Sequence, residues 1–147
     1  MDADIRARAL RLLARREHSR EELRRKLASR ADEGYDLDAL LDDFTRRGWL
    51  SEERFIEQSV RAKSRRFGPL KIAHHLREKG IGEEGIARGL ALAKAGEAEA
   101  IESAWRTRFG RQPRDAAERA RQVRFLQGRG FALESILKLL RHADADA

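Results

Sequence analysis

SEERFIEQSVRAKSRRFGPLKIAHHLREKGIGEEGIARGL, residues Ser51 to Leu90, holds three helical signals, a Gly-Pro break and the densest basic run of the chain. Ser51 followed by Glu52 and Glu53 opens a helix, because a hydroxyl satisfies a free N–H and acids suit the positive end of the helix dipole. Phe55, Ile56, Ser59 and Val60 fall at helical spacing on its inner side. That helix ends near Phe67-Gly68, and Pro69, whose missing N–H is no loss in a first turn, starts the next. Ile72 and Leu76 line this second helix and Gly80 closes it; a short third helix carries Ile86 and Leu90. Gly82, Gly85 and Gly89 each weaken the third helix by up to about 1 kcal/mol relative to alanine. It is expected to be the least stable in the chain.

The end of this stretch recurs. Gly80, Ile81, Ile86 and Leu90 define a frame that reappears as Gly34, Tyr35, Leu40, Phe44 and as Gly130, Phe131, Ile136, Leu140, at offsets of 46 and 50 residues. A frame present three times is the signature of a repeat architecture. Composition agrees: charged residues make up 39% of the 147 and aromatics only 6%, too few large apolar side chains for one round core. Three small cores in a row need fewer, since each unit buries only a stripe. No segment alternates like a strand. The expected fold is all-α, with three tandem three-helix units, helix-turn-helix-like, over residues 1–50, 51–95 and 96–147. In a curved, elongated row they would span on the order of 60 Å.

In the first unit a helix covers about Asp4 to Arg16, with Ile5, Ala9, Leu12 and Leu13 inward. Ser19 and Glu22 read as a capping box for a second helix, lined by Leu23 and Leu27, whose Arg24, Arg25 and Lys26 point largely outward. A third helix from about Asp36 to Arg47 buries Leu37, Leu40, Leu41 and Phe44, and Trp49-Leu50 packs the junction to the next unit. Ala95-Gly96 is the expected hinge into the third unit. There Ile101, Ala104, Trp105 and Phe109 line a first helix, Asp115 caps a second carrying Ala116, Ala120, Val123 and Leu126, and Gly128-Arg129-Gly130 breaks it. The last helix buries Leu133, Ile136, Leu137 and Leu140, and the terminal HADADA is expected to fray.

The net charge of +7 is uneven: +1 over residues 1–50, +4 over 51–96 and +2 over 97–147. Between Arg61 and Lys79 seven basic residues stand against one acid, Glu78. Such a concentration points to an anionic partner, whether nucleic acid or an acidic protein face. Chemistry of other kinds finds little support. His74 and His75 are adjacent, about 100° apart on a helix, and there is no Cys, so neither a metal nor another cofactor is expected. His18 beside Ser19 has no third partner, and capping explains Ser19 better. The neighbouring carboxylates Asp42-Asp43 and Glu83-Glu84 read as solvated faces, and no phosphate-loop motif occurs. No enzyme is expected. Sequence-specific DNA reading is the weaker binding option, because there is no Asn and the Gln residues are scattered. With no secretion signal and no membrane-length apolar run, a cytoplasmic protein without membrane contact is expected.

ALRLLARREHSREELRRKL (residues 9–27), ERFIEQSVRAKSRRFGPLKIAHHLREKGI (53–81) and RFLQGRGFALESI (124–136) resemble the bacterial RecX regulators of the RecA recombinase, in the same order over nearly the whole chain. The resemblance implies three tandem three-helix repeats. It also implies a negative modulator of RecA that lies along the RecA–DNA filament and inhibits its growth, ATP hydrolysis and strand exchange in recombinational repair and the SOS response. Single- or double-stranded DNA is a further partner it allows, and a monomer is expected. A general nucleic-acid-binding module with no protein target is the competing reading. The residues expected to meet RecA or DNA are Lys63, Arg65, Arg66, Lys71, Arg77 and Lys79, with Arg24, Arg25 and Lys26 as a second patch and Arg124 and Arg129 as a weaker third. Phe55, Val60, Ile72, Leu76, Trp49 and Phe131 are expected in the cores.

Overall fold

The computed structural model describes residues 2–145, and among them the chain is all-α: α1 (Asp2–Arg15), α2 (Arg20–Ala28), α3 (Leu37–Arg46), α4 (Glu52–Lys63), α5 (Pro69–Glu78), α6 (Glu83–Ala95), α7 (Glu97–Arg108), α8 (Ala116–Gly128) and α9 (Leu133–Ala145). No helix of the described residues is long and apolar enough to cross a membrane. Three successive trios each close a core of their own. Ile5, Leu23, Leu27, Leu41 and Phe44 centre the first, Phe55, Ile56, Ile72 and Leu76 the second, and Trp105, Leu126, Phe131, Ile136 and Leu140 the third.

Local chemistry places the helix starts. The side chains of Ser19, Asp36, Ser51 and Asp115 accept the N–H of the residue three positions on, at 3.0, 3.0, 3.2 and 2.8 Å, and Pro69 opens α5 after Gly68. The three frame glycines turn the chain between second and third helices with φ of 89°, 81° and 95° at Gly34, Gly80 and Gly130, a region that side chains resist.

Neighbouring repeats meet through one recurrent junction. The N-cap of a second helix touches the residue preceding the next repeat's frame glycine: Ser19 Oγ donates to the Lys79 carbonyl at 2.7 Å, and Gly68 N–H donates to the Arg129 carbonyl at 2.7 Å. Leu70 N–H adds a bond to the Gly130 carbonyl at 3.1 Å. A Cβ on Gly80 would stand 2.6 Å from Glu21 Cβ, and one on Gly130 2.6 Å from the backbone nitrogen and Cβ of Lys71, whereas one on Gly34, in the first repeat, would meet nothing within 4 Å.

Several expectations change. α6 is 13 residues long rather than short, because Gly85 and Gly89 are buried contacts: a Cβ would come within 2.5 Å of Ile81 Cγ2 at the first and 2.4 Å of Leu76 Cδ1 at the second. Gly96 alone separates α6 from α7. Leu133 is exposed rather than buried, and α9 continues through His142 to Ala145 where fraying was expected; the last two residues of HADADA lie outside the described residues. Trp49 is not core either. It is 40% exposed, edge-on to Phe44 at 5.4 Å, with the Arg47 guanidinium 5.1 Å from its ring centre. Trp49→Ala is therefore expected to lower stability by about 1 kcal/mol, against about 3–5 kcal/mol for the fully buried Phe44→Ala. Urea melts of the two variants check the order.

Candidate polyanion-binding surface

α4 ends at Lys63, and its last turn tightens so that Arg66 N–H and Phe67 N–H both reach the Lys63 carbonyl, at 3.0 and 2.9 Å. Arg65 and Arg66 ride on this turn, and Lys71 follows in the first turn of α5. The docking of Gly68 on the third repeat adds Arg129 from the α8–α9 turn. Its guanidinium lies 5.2 Å from the Phe67 ring centre and 5.0 Å from that of Phe125, spanning the two repeats. The ammonium groups of Lys63 and Lys71 lie 5.6 and 5.8 Å from the same Phe67 ring. Aromatic faces attract cations, so Phe67 gathers three positive side chains that would otherwise repel.

Beside them opens a cleft of about 620 Å³ lined by Arg65, Arg66, Thr107, Arg108, Phe125 and Arg129, with no acid in its wall. Among the described residues Lys63, Arg65, Arg66, Lys71, Arg108 and Arg129 have no carboxylate within 4.0 Å. Burial lowers the pKa of His75 on the adjoining helix, and the charges of Lys63 and Lys79 lower it further, as a positive field requires. Guanidinium and ammonium groups with no carboxylate partner suit an extended anion, which they meet without first breaking internal salt bridges. Of the six, only the Lys71 side chain has a hydrogen bond among the described residues, to the Gly128 carbonyl at 3.3 Å.

The other expected residues are placed differently. Lys79 turns away into the first junction, where its ammonium binds the buried Glu22 carboxylate at 3.1 Å. Arg24 pairs with Asp38. Arg25 binds Glu21 at 3.2 Å, and Lys26 lies 3.0 Å from His18 Nε2 and 4.0 Å from Glu22. The first-repeat patch thus has its charges committed within the protein. Arg77 is exposed at the far end of α5, and Arg124 is exposed on α8 outside the cleft. Arg108, which sequence reasoning missed, belongs to the cleft. Its signal was an Arg-Phe-Gly triplet, residues 66–68, that recurs at 108–110. No group of three or more His, Cys, Asp or Glu side chains is placed to hold a metal among the described residues, and His74 pairs with Glu78 at 3.0 Å.

Comparison with known proteins matches all three repeats. Models of the first, second and third three-helix domains of RecX cover residues 6–35, 51–90 and 96–140. The regulatory protein RecX of Herbaspirillum seropedicae is 45% identical over 142 residues, spanning 97% of this chain and 92% of its own. That of Ralstonia nicotianae is 41% identical over 141 residues, spanning 96% and 89%. The crystal structure of RecX from Lactobacillus salivarius superimposes with a TM-score of 0.78 at 19% identity, covering 97% of this chain and 96% of that one. The matched repeats follow in order, each with its own core and its own glycine turn, and relatives align over almost their full length: the chain belongs to the RecX family of regulatory proteins.

Proposed function

We propose that this protein is a negative modulator of RecA, which binds the RecA–DNA filament and inhibits its growth, ATP hydrolysis and strand exchange, so acting in the cytoplasm on recombinational repair and the SOS response. It acts by binding rather than by catalysis. The observation that carries the reading in this chain is the acid-free basic cleft at the junction of the second and third repeats, since a nucleoprotein filament is a polyanion with a repeating surface. Arg65, Arg66 and Arg129 form its working face, with Arg108 added, and Lys63 and Lys71 stand beside it at the Phe67 ring. Arg77 and Arg124 lie outside it; Lys79 and Arg25 reach across the first junction, to the Glu22 carboxylate and the Glu78 carbonyl, while Arg24 and Lys26 engage partners within the first repeat.

The test adds the protein to RecA from the same organism on single-stranded DNA and follows ATP hydrolysis. Inhibition far below one protein per RecA indicates filament capping or disassembly, and inhibition only near saturation indicates groove occupancy. The variant Lys63→Glu/Arg65→Glu/Arg66→Glu is expected to need at least about tenfold more protein for the same inhibition, equivalent to about 1.4 kcal/mol, with unchanged helicity by circular dichroism. Inhibition equal to that of the unaltered protein removes the cleft from the mechanism. The same cleft favours a second reading, a non-specific nucleic-acid-binding module. DNA binding that falls steeply with salt, with no effect on RecA, would select it.

A further inference from the structure

The turn from α7 to α8 carries a second concentration of arginine, which shares only Arg108 with the filament proposal. Arg108, Arg111, Arg114 and Arg121 surround a cleft of about 260 Å³, together with Glu118 and Gln122. The loop is held from beneath. Gln122, only 6% exposed, accepts a hydrogen bond from the Trp105 indole N–H at 2.9 Å and donates one to the Arg111 carbonyl at 3.0 Å. Gln112 donates to the Leu140 carbonyl at 3.2 Å, tying the same loop to α9. Gly110 turns the chain at φ 67° where the loop begins. A buried amide is costly unless both its ends are bonded; here the indole of Trp105 holds one end, and the other holds the Arg111 carbonyl.

The one acid in the wall is already engaged. Glu118 takes the Arg114 backbone N–H at 2.8 Å and its guanidinium at 3.1 Å. Arg108, Arg111 and Arg121 have no carboxylate within 4.0 Å among the described residues. Arg108 is steadied over the Phe109 and Phe125 rings at 5.7 and 5.5 Å. Three unpaired guanidinium forks around a small cleft, on a loop fixed in advance, match the oxygens of a phosphate group better than a single carboxylate, which one fork saturates.

We propose that this cleft in the third repeat is a binding site for a phosphate-ester anion. Its source is either a polyphosphate chain, free or on a nucleotide, or a phosphate run of a nucleic acid. Isothermal titration of the 147-residue chain with tripolyphosphate, ATP and a single-stranded oligonucleotide separates these. The double variant Arg111→Ala/Arg121→Ala changes only exposed side chains. Arg106→Ala, from the neighbouring pair with Glu102, is the control. Saturable binding of tripolyphosphate near one per chain, weakened at least tenfold in the double variant and unchanged in the control, supports a site for polyphosphate. Binding of the oligonucleotide alone, with the same loss, supports the site and assigns it to a nucleic-acid strand. Absence of saturable binding of all three probes overturns the proposal, as does a double variant that binds like the unaltered protein or an equal loss in Arg106→Ala. RecA inhibition measured in parallel keeps the filament proposal separate, because the double variant leaves Lys63, Arg65 and Arg66 in place.

Discussion

Replacing Gly130 by alanine is expected to destabilise the protein by about 2–5 kcal/mol and to loosen the third repeat from the second. Two costs combine. At φ 95° an L-residue is strained by about 1–2 kcal/mol, and the new methyl would enter a site where the Lys71 backbone nitrogen stands 2.6 Å away. Backbone cannot swing aside as a side chain can, so the overpacking adds about 1–3 kcal/mol. It also breaks the approach that lets Leu70 N–H bond the Gly130 carbonyl. Gly34→Ala provides the internal reference. Its φ of 89° brings the same strain, but no atom lies within 4 Å of the new methyl, so its loss should stay near 1–2 kcal/mol. The difference between the two midpoints in urea then reports the junction alone. Equal losses would mean that the close contact contributes nothing, and the recurrent junction would have to be abandoned as a determinant of the fold. The cleft formed by Arg65, Arg66 and Arg129 spans this junction, so Gly130→Ala should also weaken RecA inhibition without removing a charge.

The repeat frame was legible because it rests on backbone geometry. Glycine is the residue that turns at positive φ without strain, so Gly34, Gly80 and Gly130 mark the turns whatever surrounds them. Caps at Ser19, Ser51 and Asp115 were legible for a similar reason: each acts on a neighbour three residues away. Contacts between distant segments were not. Gly85 and Gly89 read as weak points on helix propensity alone, which takes no account of Leu76 and Ile81 lying where a side chain would be. Lys79 read as part of a basic surface, but its partner Glu22 is 57 residues away in sequence. Even the capping box was half right: Ser19 caps α2 as the pattern requires, while the Glu22 carboxylate leaves the box for Arg16 and Lys79. A run of like charge in sequence does not show which members the fold will neutralise. Arg65 and Arg66 face a third-repeat wall of Ser, Thr and Arg with no acid in it, and the Lys71 ammonium donates to the Gly128 carbonyl, at 3.3 Å.

Glu22→Gln is expected to loosen the junction between the first and second repeats at a cost of about 2–3 kcal/mol. That is below the range for a fully buried ion pair, because Arg16 and Lys79 are 43% and 32% exposed and regain water. The Glu22 carboxylate is 4% exposed and carries Arg16 at 2.6 and 3.0 Å and Lys79 at 3.1 Å. Gln keeps the shape and loses the charge, leaving these cations and the nearby Lys26 without a counter-ion. The pH dependence follows from the same group. Burial pushes its pKa up, but hydrogen bonds from Arg16 and Lys79 outweigh that and hold it at about 2, below its ordinary 4.5. A depressed carboxylate adds stability above pH 4.5 that disappears as pH falls toward 2, here about 3 kcal/mol at 1.36 kcal/mol per unit. His18, 1% exposed with Nδ1 3.1 Å from the Arg16 carbonyl, has its pKa lowered, chiefly by burial. For a base the loss begins earlier: the unfolded imidazole takes a proton below about pH 6.5 before the folded one does. Acid should therefore weaken this junction in two stages, the first below pH 6.5 and the second below 4.5. Denaturant midpoints measured from pH 7 to 2.5 test this directly. In Glu22→Gln the second stage should shrink to what the remaining carboxylates supply, while the first, which belongs to histidine, persists. If the variant loses stability below pH 4.5 as steeply as the unaltered protein, Glu22 is not the counter-ion that holds the first two repeats together.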